Sequence, residues 1–269
     1  MKPARMSVLL TGASGGIGAL IAGELVRAGA QVLLVARTPG PLTALAARLG
    51  GQRGAGACVA ALAADITRAA DRQLLAQAAA DRGVNVLVNN AAAACFGEFS
   101  AMDDGQIAEV MLTNLVAPLQ LARALLPQLT AQPEARLLNI GSTLGRIGLP
   151  GYAVYGASKF GLRGFSEALR RELAATGVRV QYLGPRATRT AFNDHRVDAY
   201  NAATNTAVDT PEWVARAAVR LLEDGTPERF LGFPEALAVR LNSVFPAWLD
   251  RAFGKHGAAL RAAARLPAA

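Results

Sequence analysis

Cysteine is scarce in this 269-residue chain. There are two, Cys58 and Cys95, and neither stands at a metal-ligand spacing. Two thiols cannot frame a chain of this length, which excludes a disulfide scaffold; set among apolar neighbours, both are expected as small core residues. Histidine is equally rare, and His195 and His256 fall outside every motif below, so both are expected at the surface and no metal site is expected. There is no block of lysines or arginines, although the formal net charge is +8 and the pI about 10.3. Cations scattered in this way suit phosphate-rich cofactors or an acidic carrier and argue against nucleic acid, which needs a concentrated basic footprint. The longest apolar stretch, 55–64, is too short to span a bilayer. Only residues 1–6 precede the first apolar run, which leaves no room there for a secretory core. The expectation is a soluble protein of a reducing, cytoplasmic compartment. Repeats and long Pro/Gly/Ser linkers are also lacking, so one main domain is expected. With 52% apolar and 18% charged residues, the chain can build a large core and is not disordered.

Apolar runs alternate with amphipathic segments. Strands are expected at 7–10, 31–36, 58–62, 84–88, 136–140 and 178–183. Helices are expected at 17–28, 41–49, 67–81, about 103–111, 113–129 and 155–175. Continuously apolar strands between helices imply a parallel sheet covered on both faces, the doubly wound α/β class with three layers, which binds ligands at the carboxyl ends of its strands.

The first strand runs directly into Thr11-Gly12-Ala13-Ser14-Gly15-Gly16-Ile17-Gly18, where a helix opens. Gly12 permits a tight turn, while Gly16 and Gly18 let backbone and helix N-terminus approach a pyrophosphate, whose charge the free N–H groups and helix dipole favour. Strand, glycines and helix in that order mark a dinucleotide site. The second strand ends at Ala36-Arg37, where an acidic residue would bind the 2′-hydroxyl of NAD. An arginine there suits a 2′-phosphate, so NADP(H) is the expected cofactor.

Tyr155 and Lys159 open a helix four residues apart and so share one face. A free phenol, with a pKa near 10, is a poor acid or base at neutrality. A lysine charge beside it is expected to lower that value and fit it for proton transfer.

The glycine motif, Asn89-Asn90-Ala91, Ser142, Tyr155 and Lys159 occur in the order and spacing of the short-chain dehydrogenase/reductase family, and over about 7–190 the chain resembles its smaller, single-domain branch. By that resemblance Tyr155 protonates a carbonyl oxygen or deprotonates an alcohol. Ser142 polarises the same oxygen, and Lys159 also holds the nicotinamide ribose. Asn114 corresponds to the family's asparagine that anchors a water relay to the lysine. Asp65 matches the acid that contacts the adenine amino group, with Ile66 packed on that ring. Ser14, Ile17, Asn89, Ala91, Pro185, Thr188 and Thr190 complete the implied cofactor contacts. Two departures stand out. Ala92 replaces a usual glycine and is expected to narrow the pocket slightly, and Arg186 replaces another, where it is expected to meet an anionic or polar substrate group or to fold back onto the pyrophosphate.

Residues 192–209 are polar and irregular, as a substrate-covering segment would be, and a helix at 211–223 and strand at 229–232 complete the family's fold. Residues 233–269 form a helical extension beyond that 1–232 unit. Leu237, Leu241, Val244, Phe245, Trp248, Leu249 and Phe253 stand near helical spacing among Arg240, Arg251, Lys255, Arg261 and Arg265. Such a face packs on its own domain or a partner subunit, borders a pocket for a long apolar substrate, or touches a membrane surface. The implied activity is NADPH-dependent reduction of an apolar ketone such as a 3-oxoacyl thioester, carrier-bound or free, in a homodimer or homotetramer. The alternatives are an alcohol or steroid-type dehydrogenase working oxidatively and a non-catalytic NADP-binding regulator.

Overall fold

The structure, a computed structural model, describes residues 1–51, 58–244, 250 and 253–265. Seven parallel strands make one sheet in the order β3-β2-β1-β4-β5-β6-β7. They are β1 (Ser7–Thr11), β2 (Gln31–Ala36), β3 (Val59–Ala63), β4 (Val86–Asn89), β5 (Ala135–Ile140), β6 (Val178–Gly184) and β7 (Glu228–Phe230). Successive side chains enter different cores, as a pleated strand requires. Val8, Leu10, Val86 and Val88 pack under α1 (Gly16–Arg27), α2 (Pro39–Gly50) and α8 (Pro211–Asp224). Leu9, Leu87 and Leu137 pack on the other face, under α3 (Ala69–Asp81), α5 (Ala117–Thr130) and α6 (Ala153–Glu172). Burial on both faces explains why these strands read as continuous apolar runs. The chain reverses its direction of winding between β1 and β4, and a crevice opens there at the strands' carboxyl ends.

Two segments differ from the sequence expectation. The two helices expected at 103–111 and 113–129 are one helical run. It begins at α4 (Asp104–Met111), where Asp103 and Gln106 form a reciprocal cap, passes through a π turn at Leu112–Val116 and continues as α5. Although this run is long and apolar enough to cross a membrane, Ala117, Leu121, Leu125 and Leu129 are fully buried against the sheet, the position of a core helix.

The polar segment 192–209 contains a helix, α7 (His195–Thr204). Asp194 caps it by accepting from Val197 N at 2.9 Å, and Asn205 ends it in the left-handed region at φ 55°. Its buried positions include Asn201 and Thr204, so hydrophobic spacing could not reveal it.

The C-terminal extension contributes α9 (Glu235–Asn242) and α10 (Gly254–Ala263). Helix α10 lies on α7, where Tyr200, Ala259 and Ala263 form a small core with Phe96, Tyr152 and Leu260. Lys255 Nζ donates to Thr204 O at 2.9 Å. Of the apolar tail positions, Phe245, Trp248, Leu249 and the Leu237 side chain lie outside the described residues, as does Arg251.

Candidate active site

The crevice is a cavity of about 600 Å³ with mostly apolar walls. Its floor is the turn between β1 and α1. Gly12 stands at φ 64°, and a Cβ on it would lie 2.8 Å from Ala91 Cα, so the turn takes only glycine. The Asn90 amide holds the turn by donating to Thr11 O at 3.0 Å and Gly12 O at 3.1 Å. Thr11 Oγ1 in turn accepts from the N–H groups of Asn90 and Ala91 at 3.0 and 3.1 Å. Gly15, at the N-cap of α1, offers no side-chain cap, and nothing lies within 4 Å of where its Cβ would be. Ser14, Gly16 and Ile17 line the cavity beside it. An uncapped helix N-terminus facing an open cradle fits a dinucleotide pyrophosphate.

Ser142, Tyr155 and Lys159 line the same cavity from the end of β5 and the first turns of α6. The expected lowering of the tyrosine pKa is not found. Burial pushes the Tyr155 phenol up to about 12, with the facing Ser142 hydroxyl pulling the other way. Burial likewise pushes Lys159 down to about 8. Desolvation penalises both charges, and the lysine nitrogen, 5.4 Å from the Tyr155 ring centre, does not outweigh it. Lys159 Nζ donates to Ile140 O at 3.3 Å, which ties it to the end of β5. The loop carrying Ser142 is pinned by Tyr182, whose hydroxyl accepts from Ser142 N at 3.0 Å and donates to Ser142 O at 2.9 Å. The ring sits where a Cβ on Gly141 or Gly145 would be.

Ala91, Ala92, Pro185, Thr188 and Thr190 also line the cavity, whereas Gly18, Arg37, Asp65, Ile66, Asn89 and Asn114 do not. Gly18 instead lets α1 close on the Gly12 carbonyl. Arg37 is exposed at the end of β2. Asp65 and Ile66 follow β3, so all three stand on the outer side of the cradle. Burial opposes the Asp65 charge, yet Thr67, which donates from N–H and hydroxyl at 2.9 and 2.7 Å, and the Arg37 and Arg68 charges keep its pKa below the usual value. Ile66 is buried in the core.

Asn89 belongs to the core beneath the cavity. It shares the strand parity of Leu87, and its amide donates to Asn139 Oδ1 at 2.9 Å; Asn139 donates on to Ser166 of α6 at 2.8 Å. Asn114, in the π turn, accepts from Ala93 N at 2.7 Å and donates to Ala93 O at 3.0 Å and Ser158 Oγ at 3.3 Å. It therefore stitches three segments together, and among the described residues no direct hydrogen bond joins it to Lys159. Arg186 lines the wall, and its guanidinium is held by Asp209 and Glu235, each at 2.8 Å.

His195 is exposed, as expected, but His256 is buried in the cavity wall. Cys58 is exposed instead of buried, and half-buried Cys95 lines the cavity. Sequence reasoning also passed over Thr11 and Asn90, which brace the cradle, and Tyr182, which reads as one more apolar residue of a strand. The doubled asparagine was the available signal for Asn90; only the strand's end decides which of the two faces the turn.

The short chain dehydrogenase family profile matches residues 6–201. The chain belongs to the short-chain dehydrogenase/reductase family. Ketoacyl reductase HetN of Nostoc sp. is 34% identical over 226 residues, which covers 82% of this chain and 77% of that protein. A short-chain dehydrogenase from Sphingobium yanoikuyae, solved in complex with NADPH, superposes with a TM-score of 0.76 at 31% identity, over 93% of this chain and 96% of that one. A 3-oxoacyl (acyl-carrier-protein) reductase from Agrobacterium tumefaciens C58, with NADP bound, has the same TM-score at 28% identity, over 84% and 93%. This short-chain dehydrogenase/reductase is thus an oxidoreductase by family.

Proposed function

We propose that this protein is an NADPH-dependent reductase of apolar ketones, of which a 3-oxoacyl thioester is one example. The observation that carries the reading is the meeting of Ser142, Tyr155 and Lys159 with an uncapped α1 N-terminus in one mostly apolar cavity. The bare cradle, the Arg37 cation at the end of β2, and relatives solved with NADPH and NADP support the cofactor choice. Two relatives named as ketoacyl and 3-oxoacyl reductases support the substrate class, and the +8 charge would suit an acidic carrier.

Bound in the cradle, NADPH would supply a hydride to the carbonyl carbon. Tyr155 Oη gives its proton to the carbonyl oxygen, completing the alcohol. Ser142 holds that oxygen by a hydrogen bond that strengthens as negative charge grows there. The phenolate left behind is stabilised by the Lys159 ammonium, and the apolar walls exclude competing water.

Replacing Tyr155 with Phe removes one oxygen and little volume. Turnover of a ketone with NADPH is expected to fall roughly 10²–10⁴-fold, while nicotinamide fluorescence still reports NADPH binding. Unchanged turnover would refute the tyrosine's role, and binding of NADH in preference to NADPH would overturn the cofactor assignment.

A further inference from the structure

The end of the cavity away from the cradle is aromatic, and the C-terminal extension closes part of it with Phe253 and His256. Phe96, Tyr152, Tyr200, Phe253 and His256 line it. Ring centres are 5.0 Å apart for Phe96–Tyr152 and 5.1 Å for Phe96–Tyr200, the tilted and edge-on contacts that aromatic groups favour. From Tyr155, ring-to-ring steps of 6.2, 5.9 and 5.6 Å through Tyr152 and Tyr200 reach His256.

The hydrogen bonds at His256 set its tautomer. The Tyr200 hydroxyl lies 3.1 Å from Pro150 O and 2.8 Å from His256 Nδ1. A carbonyl oxygen only accepts, so with both contacts made as hydrogen bonds the single Tyr200 proton goes to Pro150 O. Nδ1 must then carry its own hydrogen and donate to the hydroxyl. That leaves Nε2 with a lone pair, and among the described residues nothing donates to it. Burial and the Lys255 charge, which depress the imidazole pKa, keep the ring in this neutral form.

Resting on the reductase reading above, we infer that His256 is a specificity residue whose Nε2 accepts a hydrogen bond from the far end of the substrate. The favoured substrates are ketones bearing an aromatic ring with a hydroxyl or N–H group on it. The ring packs among Phe96, Tyr152 and Phe253, and the donor reaches Nε2 while the carbonyl meets Tyr155. A ketone without the donor covers this acceptor and leaves it unpaired.

The test uses the full chain with NADPH and three probes: 4-(4-hydroxyphenyl)butan-2-one, its methyl ether, and 4-phenylbutan-2-one. Wild-type kcat/KM is expected to be at least about tenfold higher for the phenol than for the ether. His256→Phe should bring that ratio close to one, and His256→Gln, which restores an acceptor oxygen, should recover much of it. A wild-type ratio near one overturns the inference, as does a ratio that survives His256→Phe. Turnover of a 3-oxoacyl thioester but of none of the three ketones also overturns it and leaves the reductase reading standing. No NADPH oxidation with any ketone or thioester would sink both.

Discussion

Ser142 owes its position to Tyr182, because one hydroxyl satisfies both backbone groups of the serine inside the core. Tyr182→Phe would keep the ring but leave the buried Ser142 N–H unpaired, while the Ser142 carbonyl keeps its hydrogen bond from Gly145 N at 3.0 Å. A loss of about 1–3 kcal/mol of stability is expected, since the stranded N–H keeps its desolvation cost. The freed loop should lower kcat more than it raises KM. Urea midpoints and steady-state kinetics check the two halves, and a variant equal to wild type in both would show that Tyr182 only fills space. Lys159 allows a test by pH. Its folded pKa of about 8 lies below the 10.5 of an unperturbed lysine. Between those values the unfolded chain holds a proton that the folded chain has released, so stability rises with pH across that window. Without cofactor, Lys159→Met should lack this increment, on the order of 3 kcal/mol, and a wild-type curve parallel to the variant's would contradict it. At this scale, residue types tied to chemistry by order and spacing, such as Ser142, Tyr155 and Lys159, were legible. Their ionisation was not, because desolvation depends on what closes over a group. Nor was the choice between Asn89 and Asn90, which turns on strand parity at the last residue of β4.

Helix α9 and the segments before α7 and α8 are joined by one side chain. Arg186 follows β6, Asp209 precedes α8 and Glu235 opens α9, and the guanidinium bridges both carboxylates. The hydrogen bond to Asp209, joined by that to Glu235, raises the arginine's pKa against the opposing effect of burial. Gly232, at φ 86°, makes room for the bridge, since a Cβ there would lie 2.6 Å from Arg186 Cδ. Arg186→Ala would strand two carboxylates with only partial access to water. A cost of about 1–3 kcal/mol is expected, with faster proteolysis of the extension than in wild type. Asp209→Asn combined with Glu235→Gln should relieve part of that cost; an additive loss would mean the three do not act as one network. The arginine's place after β6 was legible as a departure from its family, but its partners, 23 and 49 positions away, were not. Strands and amphipathic helices were found to within a few residues because their burial is periodic. Helix α7 was hidden because it buries Asn201 and Thr204 alongside Val197 and Tyr200, and its capping by Asp194 was the remaining clue.

At the scale of the molecule, the face formed by the 104–130 run and α6 is incompletely covered. In the apolar part of that run 39% is buried, and Leu112, Val116 and Phe160 are 39%, 37% and 44% exposed. Leu112 and Val116 stand one turn apart on the π turn, and Gly161 lets α6 approach Leu115 beside them, which brings Phe160 alongside. We propose that a second copy of the chain covers this face, because one subunit's two-helix surface can pack on its own equivalent about a twofold axis. Sedimentation of the wild type should give a dimer, or a tetramer if the sheet edge at β7 also pairs. Phe160→Glu places two charges across the twofold and should shift the mass to a monomer, with Ser142, Tyr155 and Lys159 left in place. A variant that sediments as wild type excludes this face as the subunit contact, and a wild-type monomer that partitions into vesicles of anionic lipid would assign the apolar surface to a membrane instead.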